Sequence, residues 1–108
     1  MLDRTKTATL PLVKVRELLT LGHVNFLDQR RKNAETMKLL GFTPDDVLKE
    51  IRKLREADFA GCDVSEGFPD ADVYIKTIRK IEMYIKFRLK TPNLLVISFH
   101  ESKKGVQP

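Results

Sequence analysis

Four side chains in the last third of the chain have the chemistry to bind a phosphate group and to transfer protons. Tyr84, Lys86 and Arg88 alternate with apolar residues, and this spacing predicts that they project from one face of a β-strand. His100 ends the next apolar segment, which follows a turn at Thr91–Asn93. If the two segments form an antiparallel hairpin, paired positions sum to about 184, so Tyr84 lies beside His100.

These residue types match the requirements of metal-independent RNA cleavage. That reaction needs a base for the 2′-hydroxyl, an acid for the departing 5′-oxygen and cations for the charge on the phosphorane. Histidine can fill either proton-transfer role near neutral pH, lysine and arginine supply positive charge, and tyrosine can stack a base or hold a phosphate oxygen. The alternatives are a strand-end histidine and a half-buried sheet tyrosine that have no catalytic role.

The positive charge of the chain is concentrated in the same region. The net charge at pH 7 is +5; residues 1–71 carry 12 basic and 12 acidic groups, whereas residues 72–108 carry 8 basic groups and 3 acidic groups. A basic face attracts polyanions, above all nucleic acid, although a solvated lysine-rich surface gives the same count. The segment Arg30–Lys32 either extends this basic track or is an ordinary exposed helix start. Four cations are the expected phosphate ligands: Lys76, Arg79, Lys80 and Arg88.

Composition excludes several classes of protein. A chain of 108 residues with 42% hydrophobic residues predicts a single globular domain, residues 1–108, with a tail at 103–108. The longest apolar run, Leu94–Ile97, is far shorter than the roughly 20 residues of a membrane span. We expect no secretory signal and a cytoplasmic location. A single cysteine, Cys62, excludes an internal disulfide, and with two histidines it leads us to expect no metal and no cofactor.

Helical patterns dominate the N-terminal half. Pro11 and Gly22 suit the start and stop of a first helix, and a second helical pattern runs from Asp28 to Leu40, with Gly41 as its stop. Thr43 is the expected cap of a third helix, because proline and two aspartates follow it.

Extended patterns dominate the C-terminal half. An extended piece at His23–Leu27 precedes the second helix, and the acidic segment Glu56–Asp72 is expected to be a long loop. Strands are predicted at Val73–Lys76 and Met83–Lys90, and Leu94–Phe99 is predicted to be a central strand that is buried on both faces. Together these elements predict an α+β fold with the N-terminal helices on one face of a C-terminal antiparallel sheet.

The chain resembles a divergent sub-branch of the MqsR family of toxins over about residues 8–102. The resemblance implies a RelE-like fold, a ribonuclease that cleaves messenger RNA, and neutralisation by a cognate antitoxin. Two features resemble those of a sub-branch of the family. They are the histidine that follows Ser98 and Phe99, and the stretch Val24–Arg31. Five segments with the order and approximate spacing of the family carry the resemblance: Leu12–Leu19, Glu56–Phe59, Asp72–Tyr74, Tyr84–Lys86 and Leu95–Phe99.

The resemblance also implies a site of four positions, of which this chain retains one. The family's tyrosine matches Tyr84, and its lysine after Ser-Phe is replaced by His100. Its other lysine falls at Ala60-Gly61, and its glutamine falls at Ala71. Three sheet cations could supply the lost charge: Lys76, Lys86 and Arg88.

Three hypotheses follow. The first is an endoribonuclease toxin with His100 as acid or base, Tyr84 as a substrate contact, and Lys86 and Arg88 as phosphate ligands. The second is a non-catalytic member that binds RNA or only a partner protein. The third is an interaction module whose acidic segment Glu56–Asp72 docks on a basic partner.

Overall fold

The computed structural model describes residues 1–102, and the expected tail at 103–108 lies outside the described residues. The described part contains three α-helices and a six-stranded mixed sheet, which confirms the α+β class. No helix in this range exceeds ten residues, whereas a membrane span needs about 20. The elements in chain order are β1 (Leu2–Asp3), α1 (Leu12–Leu21), β2 (Val24–Phe26), α2 (Arg31–Leu40), α3 (Pro44–Arg52), β3 (Phe59–Asp63), β4 (Ala71–Ile78), β5 (Ile81–Lys90) and β6 (Asn93–Glu101).

The helix boundaries follow from local chemistry. Helices α1 and α2 end at Gly22 and Gly41, which adopt left-handed φ angles of 75° and 70° that cost glycine little. Helix α3 begins after Thr43, whose side chain accepts a hydrogen bond from the backbone N–H of the third helical residue. The three predicted helices are therefore confirmed, although α2 begins at Arg31 rather than at Asp28.

The sheet has the strand order β1-β3-β4-β5-β6-β2. All neighbouring strands are antiparallel except β2 and β6, which run parallel. The predicted antiparallel sheet of the C-terminal half is therefore confirmed for β3 to β6, and the N-terminal strand β2 adds one parallel pair. The three residues of β2 were recognised as extended, but their direction depends on pairing with a strand some 70 positions later in the sequence. Local pattern carries no information on that pairing.

The acidic segment Glu56–Asp72 is not one long loop. Its first part forms a short 3-10 turn and then β3, and its last two residues begin β4, so only residues 64–70 remain as a connection. Asp72 is fully buried because its carboxylate accepts hydrogen bonds from the backbone N–H groups of Thr9 and Leu10, at 2.9 and 3.0 Å. Asp72 therefore satisfies backbone donors beneath the N-terminal segment and does not belong to a solvated loop.

The core lies on one face of the sheet, where the helices pack. Leu94 and Val96 are fully buried on this face, whereas Leu95 and Ile97 on the opposite face are only partly buried. The prediction that this segment is buried on both faces was therefore wrong, although β6 does lie between two other strands. We call the opposite face, which carries Tyr84, Lys86 and Arg88, the open face.

The register of the β5–β6 hairpin confirms the expected neighbours. Tyr84 pairs with His100, and Lys86 pairs with Ser98. The register then shifts by one residue, because Ile97 is the extra residue of a β-bulge. The bulge allows both Val96 and Phe99 to face the core with Phe87 and Ile85.

Gly61 lies where the fold leaves no room for a side chain. It lies in β3 with φ of 139°, and a Cβ atom there would lie 2.5 Å from the carbonyl oxygen of Asp3 in β1. The backbone of β1 therefore occupies the space that a lysine side chain would need.

We expect the substitution Gly61→Ala to lower the free energy of unfolding by about 3 kcal/mol, because it adds a backbone clash to the strain of a positive φ. The matched control is Gly67→Ala, which has a φ of 83° but open space around the added methyl, and we expect it to cost about 1 kcal/mol. Urea unfolding of both variants measures the difference. Equal losses would show that β1 does not pack against Gly61 as described.

Candidate active site on the open face of the sheet

A cleft of about 470 Å³ lies where the start of α2 meets the open face of β5 and β6. It brings the three expected catalytic residues together with a basic segment whose role the sequence left open. Its walls are formed by Arg30, Arg31, Lys32, Asn33, Tyr84, Lys86, Ser98 and His100.

Asn33 holds the start of α2 against the sheet. Its side chain is 1% exposed, and its Nδ2 donates to the carbonyl oxygens of Leu27 and Ile97, both at 2.9 Å. Its Oδ1 accepts a hydrogen bond of 2.8 Å from the backbone N–H of Phe99. Since β2 pairs with β6 only as far as Val96, Asn33 supplies partners for β6 beyond the end of β2.

The start of α2 carries charges that oppose the helix dipole. Arg30 occupies the N-cap position, Arg31 and Lys32 follow, and the first turn contains no acidic residue. Cations at this positive end of a helix cost about 0.3–1 kcal/mol each, whereas an anion there is stabilised. A helix start that combines these charges with a cleft is therefore suited to hold an anionic ligand.

Two of these cations have internal partners, and one has none. Arg30 donates to the carbonyl oxygen of Ile97 at 3.3 Å, and Arg31 pairs with Glu35 at 3.1 Å. Within residues 1–102, Lys32 makes no hydrogen bond or ion pair. Its ammonium is available to a ligand in the cleft.

The rings of Tyr84 and His100 stack at the base of the cleft. Their centroids lie 5.4 Å apart, and their planes differ by 18°. The Nδ1 atom of His100 lies 3.0 Å from the carbonyl oxygen of Glu101. Because a carbonyl can only accept, Nδ1 is the donor, and the neutral ring therefore has its lone pair on Nε2.

The surroundings keep the His100–Tyr84 pair uncharged. Burial lowers the pKa of the His100 imidazole below its usual value, and the nearby charges of Lys32, Arg30 and Lys86 lower it further, against the effect of the Glu101 carbonyl. Burial, and then the charge of Asp63, raises the pKa of the Tyr84 hydroxyl. At neutral pH the site therefore contains a neutral imidazole beside a protonated phenol.

Lys86 forms an ion pair with Asp63 at the edge of the cleft. Its Nζ lies 2.7 Å from Oδ2 of Asp63, whose Oδ1 accepts from the amino group of Met1 at 2.7 Å. The hydrogen bond from Lys86, followed by that from the amino group of Met1, lowers the pKa of the Asp63 carboxyl. One carboxylate thus faces two ammonium groups, so this cluster retains a net positive charge, and an ammonium has further N–H donors for a ligand.

Arg88 lies on the open face but not in the cleft. It is two residues from Lys86 along β5 and lines a neighbouring groove. Lys76 lies on the other face, because it pairs with the fully buried Met83. The expectation that Lys76 joins the site cations was therefore wrong; its face is set by the β4–β5 register.

Arg79 and Lys80 form the turn between β4 and β5, and neither lines the cleft. The guanidinium of Arg79 donates to the carbonyl oxygen of Leu40 at 2.8 Å and lies 4.9 Å from the ring centre of Phe42. Arg79 therefore ties the hairpin to the end of α2. The structure does not bring these two cations to the expected phosphate track.

We expect Asn33→Ala to lower the free energy of unfolding by about 3 kcal/mol, because the buried N–H of Phe99 would lose its partner and the carbonyl groups of Leu27 and Ile97 would each lose one donor. The control is Asn25→Ala, since Asn25 is exposed on β2, and we expect a loss below about 0.5 kcal/mol. Thermal and urea unfolding measure both. A small loss for Asn33→Ala would refute its role in anchoring α2.

The family comparison covers nearly all of the described chain. The model of the family described as motility quorum-sensing regulator, toxin of MqsA, matches residues 7–101, which is most of the chain. No curated protein matches the chain. The matched span contains β2 to β6, all three helices and every residue that lines the cleft. The chain therefore belongs to the MqsR family, the toxins of a toxin–antitoxin system whose antitoxin is MqsA.

Proposed function

We propose that this toxin cleaves messenger RNA in the cleft between α2 and the open face, with His100 as the base. The observation that supports this proposal most is the position of His100, which stacks on Tyr84 while its Nδ1 faces the carbonyl oxygen of Glu101 and leaves Nε2 for a substrate proton. It stands in a cleft whose other groups are a phenol and several cations. A base, a hydrogen-bond donor and positive charge are what phosphodiester transesterification requires.

In the proposed reaction, Nε2 of His100 takes the proton of a 2′-hydroxyl as the 2′-oxygen bonds to the adjacent phosphorus. The bond from phosphorus to the 5′-oxygen breaks, and the ammonium of Lys86 donates a proton to that oxygen. The products are a 2′,3′-cyclic phosphate and a 5′-hydroxyl end. The imidazolium and the lysine return to their starting states by proton exchange with water.

Tyr84 and the start of α2 bind the phosphate. The raised pKa of Tyr84 keeps its hydroxyl protonated, so it can donate a hydrogen bond to a phosphate oxygen. Lys32 and Arg30 face the same cleft, and the N–H groups of the helix start add positive potential. These groups stabilise the negative charge that develops on the phosphorane.

Histidine in place of the family's lysine suits the role of base. A lysine with its ordinary pKa of about 10.4 is protonated at neutral pH and serves as an acid or a cation. His100 is deprotonated there, because burial lowers its pKa. The proposal therefore assigns the base to the last strand and the positive charge to α2 and Lys86.

A non-catalytic RNA-binding member is the second candidate, and one observation favours it. Two positions of the family's site are Gly61 and the buried Ala71, neither of which offers a polar side chain. Under this alternative the cleft would bind RNA in a strongly salt-dependent way and release no products.

The first test is cleavage of a long single-stranded RNA by the purified protein in EDTA. We expect the wild-type protein to produce 2′,3′-cyclic phosphate ends and His100→Ala to cleave at least 100-fold more slowly, since a general base contributes about 10²–10⁴-fold. The control is His23→Ala, because His23 is exposed and lies outside the cleft. Undiminished cleavage by His100→Ala would exclude it as the base; binding without products from the wild-type protein would favour the non-catalytic candidate.

The second test is the pH dependence of kcat/KM. Since the base must be neutral and its pKa is lowered, activity should rise with pH and reach half of its plateau below about pH 6.5. Lys32→Ala removes one cation that lowers this pKa, so we expect the midpoint to move upward whatever happens to the rate. A midpoint above pH 7 in the wild-type protein would contradict the assignment of His100.

A further inference from the structure

A second depression, of about 290 Å³, lies beside the cleft on the open face, and we call it the groove. Its lining is mainly apolar, although it faces water. The apolar residues are Leu27, Phe68, Pro69, Ala71, Leu95 and Ile97, and the polar residues are Asp63, Ser65, Lys86 and Arg88. Leu95 and Ile97 come from β6, so the groove has a rigid floor formed by the sheet.

Phe68 is the most exposed part of this lining. Phe68 is 73% exposed and lies in the connection between β3 and β4. Its backbone N–H donates a hydrogen bond of 3.1 Å to the carbonyl oxygen of Ser65. One face of an aromatic ring is thus available at the rim of an apolar depression. A flat ligand with an apolar face would bury both surfaces.

The groove shares one lining residue with the cleft and adjoins it along β5. Lys86 lines both depressions, and Arg88 lines the groove. Since residues two apart on a strand project on the same face and lie about 7 Å apart, Tyr84, Lys86 and Arg88 form a row about 13 Å long. A strand of phosphates that enters the cleft can therefore continue past the groove.

We propose that the groove is a base-binding subsite, in which Phe68 stacks on an unpaired nucleobase of the RNA strand whose phosphate lies in the cleft. This inference rests on the proposed function, because it places RNA in the cleft. Arg88 then contacts a neighbouring phosphate. The ligand is single-stranded, since only an unstacked base presents its face to an aromatic side chain.

Charge favours RNA over a protein as the occupant of the groove. An apolar side chain of a partner protein would bind to the apolar floor and would need no cations beside it. The groove is lined by Lys86 and Arg88, and the carboxylate in its lining, Asp63, is already paired with Lys86 and with the amino group of Met1. A base flanked by phosphates matches apolar lining and cations together.

The test uses a single-stranded RNA of about 12 nucleotides with 2′-O-methyl sugars, which binds but cannot be cleaved. The chain contains no tryptophan, so Phe68→Trp places the only indole at the subsite. We expect this RNA to quench its fluorescence, whereas an abasic strand with the same number of phosphates binds without quenching. Phe68→Ala should weaken binding about 5- to 150-fold, and Phe68→Tyr should retain affinity.

The matched control is Val13→Ala, because Val13 is 72% exposed on α1, outside the groove. Absence of quenching together with unchanged affinity of Phe68→Ala would overturn the subsite, even if the wild-type protein cleaves RNA. Quenching and lost affinity without cleavage by the wild-type protein would support the subsite and refute the catalytic proposal. If Phe68→Ala weakened only the binding of the antitoxin, the occupant would be a protein and the inference would be wrong.

Discussion

The buried amide of Asn33 determines where the second helix lies on the sheet. Strand β2 stops pairing with β6 at Val96, so the following part of β6 has backbone groups on that edge that need partners. Asn33 supplies both a donor and an acceptor, and a bulge at Ile97 presents one of the carbonyls that it binds. Because Asn33 lies in the first turn of α2, the same contacts place the basic start of that helix over His100.

The two faces of the β5–β6 hairpin separate stability from chemistry. One face carries the fully buried Met83, Ile85 and Phe87, which pack against the helices. The other carries Tyr84 and Lys86, and no helix covers its centre, so their polar ends reach the cleft. This separation follows from the two-residue period of a strand. A slip of one residue in the register would bury the polar side chains and expose the apolar ones.

The sequence was most informative where structure depends on near neighbours. The turn at Thr91–Asn93 fixed the pairing of Tyr84 with His100, and glycine and threonine marked the helix ends. It was misleading where a distant partner decides, since Asp72 is buried by backbone donors of the N-terminal segment. Lys76 faces the core side because the two-residue turn at Arg79 and Lys80 sets its register with Met83, and no glycine, proline or asparagine marks that turn in the sequence. The basic start of α2 did carry a signal, since three cations without an acid are unfavourable at that end of a helix. The role of Asn33 had none, because its partners lie on a strand more than 60 residues away.

The charge arrangement at the start of α2 also links the occupancy of the cleft to the folded state. The charges of Arg30, Arg31 and Lys32 repel one another and oppose the helix dipole. This repulsion lowers the free energy of unfolding of the ligand-free protein. Any polyanion that binds there neutralises the repulsion and completes the helix end, so its binding energy adds to the stability of the folded chain. The toxin should consequently be easier to unfold when empty than when loaded, and high salt, which screens the same repulsion, should partly substitute for the ligand.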